Sequence, residues 1–234
     1  MMVSKNDSLM VNVLTVLYFT VAMIEIAAEL FYYEPLIYVF KPLMPLLLMA
    51  VYWLSSEKKQ LLFFLAMLFS LLTNILFIPL SPQMLFFGII AFMVHRIILI
   101  IFVFRLLQLR DYIPVAIGTV PFLLVFFYLL AISTEIPENS YVLLIIQNIL
   151  ISVLGGFALS NYMMNDDKRT SWLLICGLLF VALQFIVFLE KYYLTGISPG
   201  IFRPIAMGLN AFAFYTFYEF VLSIEKSDDD TASV

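Results

Sequence analysis

The chain has 234 residues, 64% of them hydrophobic and 12% charged, with 12 Lys and Arg against 16 Asp and Glu for a net charge of −4 and a mean hydropathy of +1.07. That composition excludes an ordinary soluble domain and, with no basic surface to follow phosphates, a nucleic-acid binder. At about 20 apolar residues per crossing, eight crossings consume about two-thirds of the chain, so an all-helical transmembrane bundle is expected, with its function among the helices.

Apolar runs bounded by charges or turn residues predict eight spans, at 9–31, 36–54, 60–78, 83–106, 112–133, 141–164, 171–193 and 201–224. The first run follows Lys5 as a secretory signal would, but it continues from Leu9 to Phe31 with Glu25 and Glu29 inside, and so reads as a retained helix. Pro42 and Pro45 fall in the second span, Pro114 and Pro121 in or near the start of the fifth, and Gly155-Gly156 breaks the sixth. Such positions mark either a cavity, where neighbours or water satisfy freed carbonyls, or close packing through small residues. The connections are short, among them Tyr33-Glu34-Pro35, Ser55 to Lys59 and Thr195 to Gly200, and predict antiparallel neighbours in one bundle over residues 1–226. Residues 227–234, opening on Ser227-Asp228-Asp229-Asp230, read as an acidic, solvated, disordered tail.

Alternation across eight spans puts Lys5, Lys58, Lys59, Arg105, Arg110, Lys168, Arg169 and Lys226 on one side, and Lys41, Lys191 and Arg203 on the other. The positive-inside bias then predicts both termini in the cytoplasm, with the protein a multi-pass component of the cell (inner) membrane. His95 and Cys176 are the single residues of their kinds, which leaves no disulfide and no zinc or haem ligand set, and no cofactor is expected.

Ionisable groups inside a span cost about 2.5–3.5 kcal/mol each and therefore mark function. Measured at 1.5 Å per residue, Glu25, Asn74 and Gln184 share a depth of about 20–22 Å from the cytoplasmic end, with His95 within a turn or two. Lys41, Glu190, Lys191 and Arg203 cluster near the outer boundary, so a polar pocket facing away from the cytoplasm is expected. Glu29, Glu190 and Lys191 are close enough to that boundary to snorkel or pair. Glu25 is deeper, and either pairs with Lys41 or Arg203 or takes part in chemistry. Asn74, Gln147, Asn148 and Gln184 also suit plain interhelical hydrogen bonds.

Several segments, taken in order, resemble the YhhN family of eight-span membrane proteins, whose animal relatives are lysoplasmalogenases. Phe40-Lys41-Pro42-Leu43 resembles the family's Lys-Pro-Leu signature, and Phe69-Ser70-Leu71-Leu72-Thr73-Asn74 its Ser-Leu-Leu-Gly-Asp stretch. Gly88 to His95 is similar to a Gly-Ala-Phe followed closely by His, and Gly177 to Gln184 to a Leu-Leu-Phe-Val-Leu-Ser-Asp run. Tyr215 and Glu219 stand where the family has a Tyr and a Gln or His. At the family's two aspartate positions this chain carries Asn74 and Gln184, amides that cannot exchange a proton.

The resemblance implies a lysoplasmalogenase-type hydrolase of lysophospholipid vinyl ethers. That chemistry protonates the enol carbon and delivers water, and so needs a general acid and a general base. With both aspartates absent, the candidates are Glu25, His95 and Glu219. A single-chain ether or lysophospholipid is expected in a pocket of Lys41, Asn74, His95, Gln184 and Tyr215, with Lys41 or Arg203 on the phosphate. The alternatives are a non-catalytic lipid-binding protein that has lost the acids, and a small-molecule or ion transporter.

Overall fold

The computed structural model describes residues 5–79, 81–107, 111–133, 136, 138–165, 167–192 and 200–232. Arg110, most of the expected Thr195 to Gly200 connection and the last two residues fall outside that set. Eight helices follow in chain order: α1 (Lys5–Leu30), α2 (Glu34–Ser55), α3 (Leu61–Leu76), α4 (Pro82–Leu106), α5 (Tyr112–Ile132), α6 (Glu138–Met164), α7 (Lys168–Tyr192) and α8 (Phe202–Ala232). Seven are long and apolar enough to cross a membrane, while α3, at 16 residues, is shorter. A helix is present at each of the eight predicted spans, within a few residues of its expected ends. The exception is the C-terminus, where α8 continues through the acidic stretch to Ala232. Extending a helix that is already nucleated fixes only one residue at a time for each new hydrogen bond.

Local chemistry sets the boundaries. The Ser81 side chain accepts the Met84 N–H at 3.4 Å ahead of Pro82, and Asp111 accepts the Ile113 N–H at 3.0 Å, so α4 and α5 begin on capped turns. α1 ends in a Schellman turn: Tyr32 lies at φ 53°, and the Tyr33 N–H donates to the Ala28 carbonyl at 2.9 Å. Glycine usually holds that left-handed position, and a side chain there is strained. Pro35 then opens α2.

Packing arranges the helices as a ring. α1 touches α2 and α8, and α2–α3, α3–α4, α4–α6, α6–α7 and α7–α8 complete the circuit, while α5 has its substantial contact with α6 alone. α5 rests on α6 through glycine: a Cβ on Gly118 would stand 2.9 Å from the Gly156 carbonyl oxygen, so the backbones meet with no side chain between them. Inside the ring, Phe63 stacks on Tyr52 at 3.9 Å between ring centroids and on Phe217 at 5.7 Å, with Phe102 edge-on. Large apolar residues such as Phe31, Leu61 and Met163 face outward, as lipid-facing residues do.

One end of the bundle is latched by Glu225. Its carboxylate accepts the Tyr52 hydroxyl and the Ser56 hydroxyl, each at 2.7 Å, while Gln60 N–H donates to Tyr52 Oη at 3.0 Å. These bonds hold the α2–α3 connection against α8, so the opposite end is left to form the cavity described next.

Candidate functional site in a charge-balanced cavity

At the end of the bundle where α1 passes to α2, α3 to α4 and α7 to α8, the helices enclose a cavity of about 440 Å³. Among the described residues its ionisable lining is Glu29, Glu34 and Glu190 against Lys41, Lys191 and Arg203. The cavity is therefore electrically balanced, with separated charges of both signs. Tyr32, Tyr38, Phe77 and Phe92 supply aromatic wall, and Leu183, Val187 and Met207 apolar floor. Its volume is that of a small-molecule site with a few convergent polar groups.

Two ion pairs order this lining. Lys41 Nζ lies 2.6 Å from Glu29 Oε1, with both side chains buried. Helical side chains lean toward the helix N-terminus, which in α2 is the end where α1 finishes, so Lys41 reaches back to Glu29. Arg203 Nε lies 3.2 Å from Glu190 Oε1 and ties the start of α8 to the end of α7. Glu25, expected either to pair with Lys41 or Arg203 or to take part in chemistry, pairs with neither cation. It is fully buried, and neither carboxylate oxygen has a hydrogen-bond partner. Glu29, one turn nearer the helix end, takes the lysine because it stands level with the ammonium.

Asn74 enters the cavity wall for a reason rooted in α2. Pro45 lacks an N–H, so the carbonyl four residues earlier, that of Lys41, has no helical donor. Asn74 Nδ2 donates to that oxygen at 3.0 Å. The amide thus repairs the α2 backbone at the residue whose side chain carries the Glu29 pair. An ionised aspartate in the same place would set a carboxylate against the carbonyl oxygen.

The remaining sequence candidates lie elsewhere. His95 Nδ1 is 2.8 Å from the Ala66 carbonyl oxygen, which can only accept, so the ring proton sits on Nδ1. Nε2 is buried without a partner, among the rings of Phe92, Phe180 and Phe214. Gln184 donates to Asn148 Oδ1 at 3.2 Å and borders a separate void of about 20 Å³ behind Phe92. Tyr215 donates to Glu219 at 2.9 Å and stacks near Tyr18 and Phe19, on the α1–α8 side of the ring. Of the eight candidates, Lys41, Asn74 and Arg203 therefore share the cavity. Glu25, His95, Gln184, Tyr215 and Glu219 are not among its lining residues.

Glu29, Glu190 and Lys191, which the sequence allowed to snorkel or pair, line the cavity, and Glu29 and Glu190 pair there. The signal for two of them was the pairing alternative: Glu29 and Glu190 each lie one connection away in sequence from an opposite charge, Lys41 and Arg203, whereas Lys191 directly follows Glu190. Among the described residues no group of three His, Cys, Asp or Glu could hold a metal ion.

A family model for the YhhN family matches residues 36–219. Neither the curated proteins nor the solved structures yielded a match. The matched stretch runs from the first turn of α2 into the latter part of α8, and so takes in Lys41, Asn74, Glu190 and Arg203 while leaving Glu29 just ahead of it. Covering more than three-quarters of the sequence, it carries the helical ring apart from α1 and the end of α8, and this chain belongs to the YhhN family.

Proposed function

We propose that the cavity binds a single-chain phospholipid with a zwitterionic headgroup, and that the protein is a lysoplasmalogenase-type hydrolase of the vinyl ether in such a lipid. The observation that carries the reading is the balanced lining of three carboxylates and three cations within an aromatic wall. Cations suit the headgroup phosphate, carboxylates and aromatic faces suit its ammonium, and apolar floor suits the chain. With the basic residues of the far end held in the cytoplasm, the cavity opens toward the outer leaflet, where one chain can enter from the lipid.

Hydrolysis adds a proton to the enol carbon, giving an oxocarbenium-like carbon that water attacks, and the resulting hemiacetal releases an aldehyde and the glycerophospho alcohol. Glu29, ion-paired with Lys41 and so fixed in position, is the cavity carboxylate placed to act as general base, taking a proton from the attacking water. Asn74 shapes the cavity wall and exchanges no proton. The test is aldehyde release from a lysoplasmalogen by the purified protein. Release above a heat-killed control that falls about 10²–10⁴-fold in Glu29→Gln, the size of a lost general acid–base contribution, supports the reading; no release retires the hydrolase.

A second reading, a lipid-binding protein without catalysis, is favoured by the use of Asn74 for backbone repair. In that case the lysophospholipid binds but is recovered intact.

A further inference from the structure

Arg96 and Glu25 are the two buried charged side chains in the described interior whose polar atoms all lack a hydrogen-bond partner, and Arg96 is the cation of the two. It sits in α4 at 3% exposure, and none of its three guanidinium nitrogens has a hydrogen-bond partner. Lys41 and Arg203, by contrast, are each matched to a glutamate. A buried cation requires an acceptor, and an aromatic face replaces only part of one.

Two features aim this group at the cavity. Side chains on a helix lean toward its N-terminus, and the N-terminus of α4 lies at the cavity end, because Phe77, Ile78 and Pro79 just before it line the cavity. Accordingly the Arg96 guanidinium carbon is 4.3 Å from the centroid of Phe92, one turn closer to the cavity, and Phe92 is itself a lining residue. Phe92 also borders the void of about 20 Å³ shared with Gln147 and Gln184. That void has room for about one water, so the space into which the ring can turn is the cavity of about 440 Å³ that it lines.

We propose that Arg96 is the anion receptor of this cavity, covered by Phe92 until a phosphate ester enters. When Phe92 rotates, the planar guanidinium meets two phosphate oxygens at once, a geometry that Lys41 and Lys191 cannot offer. The Glu29–Lys41 and Glu190–Arg203 pairs then stay intact on ligand entry. This inference rests on the lipid-binding reading and adds to it the residue that recognises phosphate.

The test measures binding of tritiated lysophosphatidylcholine to the purified protein, with monoacylglycerol of the same chain and inorganic phosphate as separate competitors. Arg96→Gln is expected to weaken the phospholipid by about 10–100-fold, the worth of a charge-assisted contact, while monoacylglycerol competes as before; Arg96→Lys recovers part of the loss. Unchanged phospholipid affinity in Arg96→Gln overturns the proposal and leaves the lipid cavity standing. In Phe92→Ala, phenylglyoxal is expected to modify Arg96 faster than in the parent, as read by peptide mass, and lysophosphatidylcholine to slow it. Protection by inorganic phosphate alone would make free phosphate the ligand. An Arg96 as unreactive in Phe92→Ala as in the parent overturns the proposal whether or not lipid binds. Failure of the parent to bind either lipid sinks the lipid cavity instead, and Arg96 is then judged on phosphate protection.

Discussion

Asn74→Leu should weaken the fold through a carbonyl on another helix. Pro45 leaves the Lys41 carbonyl without a helical donor, and Asn74 Nδ2 supplies one at 3.0 Å from a site only 7% exposed. Leucine fills similar volume but donates nothing, so a buried acceptor is left open at a cost of about 1–3 kcal/mol. The cause can be isolated with Pro45→Ala, which restores an N–H to the same carbonyl. In that background Asn74→Leu should cost little, leaving a coupling between positions 45 and 74 of about 1–2 kcal/mol. For a chain of this length each kcal/mol moves Tm by about 2–4 °C, so thermal unfolding in detergent resolves all four proteins of the cycle. Equal Tm losses from Asn74→Leu in the Pro45 and Pro45→Ala backgrounds would refute the repair argument. The same reasoning accounts for an amide at this position, since an ionised Asn74→Asp side chain could accept but not donate.

Lys41→Met should destabilise by about 3–5 kcal/mol by leaving Glu29 buried and unpaired, whereas Lys41→Met with Glu29→Gln should recover most of the loss, read as Tm. Gly156→Ala should cost about 1–3 kcal/mol, because the new methyl meets Thr119 of α5, and cross-linking between cysteines placed in α5 and α6 should slow with it. Tyr32→Gly should stabilise by about 1 kcal/mol through relief of the left-handed strain, a Tm gain of about 2–4 °C, and yet weaken lipid binding by opening the cavity wall. In the α6–α7 connection, burial pushes the Asp167 carboxyl up, but the Thr170 N–H and the Arg169 guanidinium outweigh it and hold it below the ordinary range. A lowered folded-state value means the carboxylate stabilises fully above about pH 4, and that this contribution fades as pH falls through the lower value. Asp167→Asn and the parent should therefore differ in stability at neutral pH and converge in acid.

Helix number and helix ends were legible from the sequence because the hydrocarbon layer imposes a length on every crossing and leaves backbone groups no partner outside the helix. The ends then follow from charges and caps such as Ser81 and Asp111. Polar residues inside spans were equally visible, and Lys41, Asn74 and Arg203 do share a cavity.

Which charge meets which was not written in any one-dimensional pattern. Glu25 and Glu29 are one turn apart on the same helix and look alike in sequence, yet Glu29 alone stands level with the Lys41 ammonium. Asn74 read equally as a substrate ligand and as an interhelical hydrogen bond, and the bond it makes is to the carbonyl freed by Pro45, 29 positions earlier. The departure of α5 from the ring, and the placing of Arg96 behind Phe92, likewise came from helix packing. Apolar periodicity records only that a face is buried, whereas the partner of a buried charge is decided by the rotation and depth at which neighbouring helices lock together.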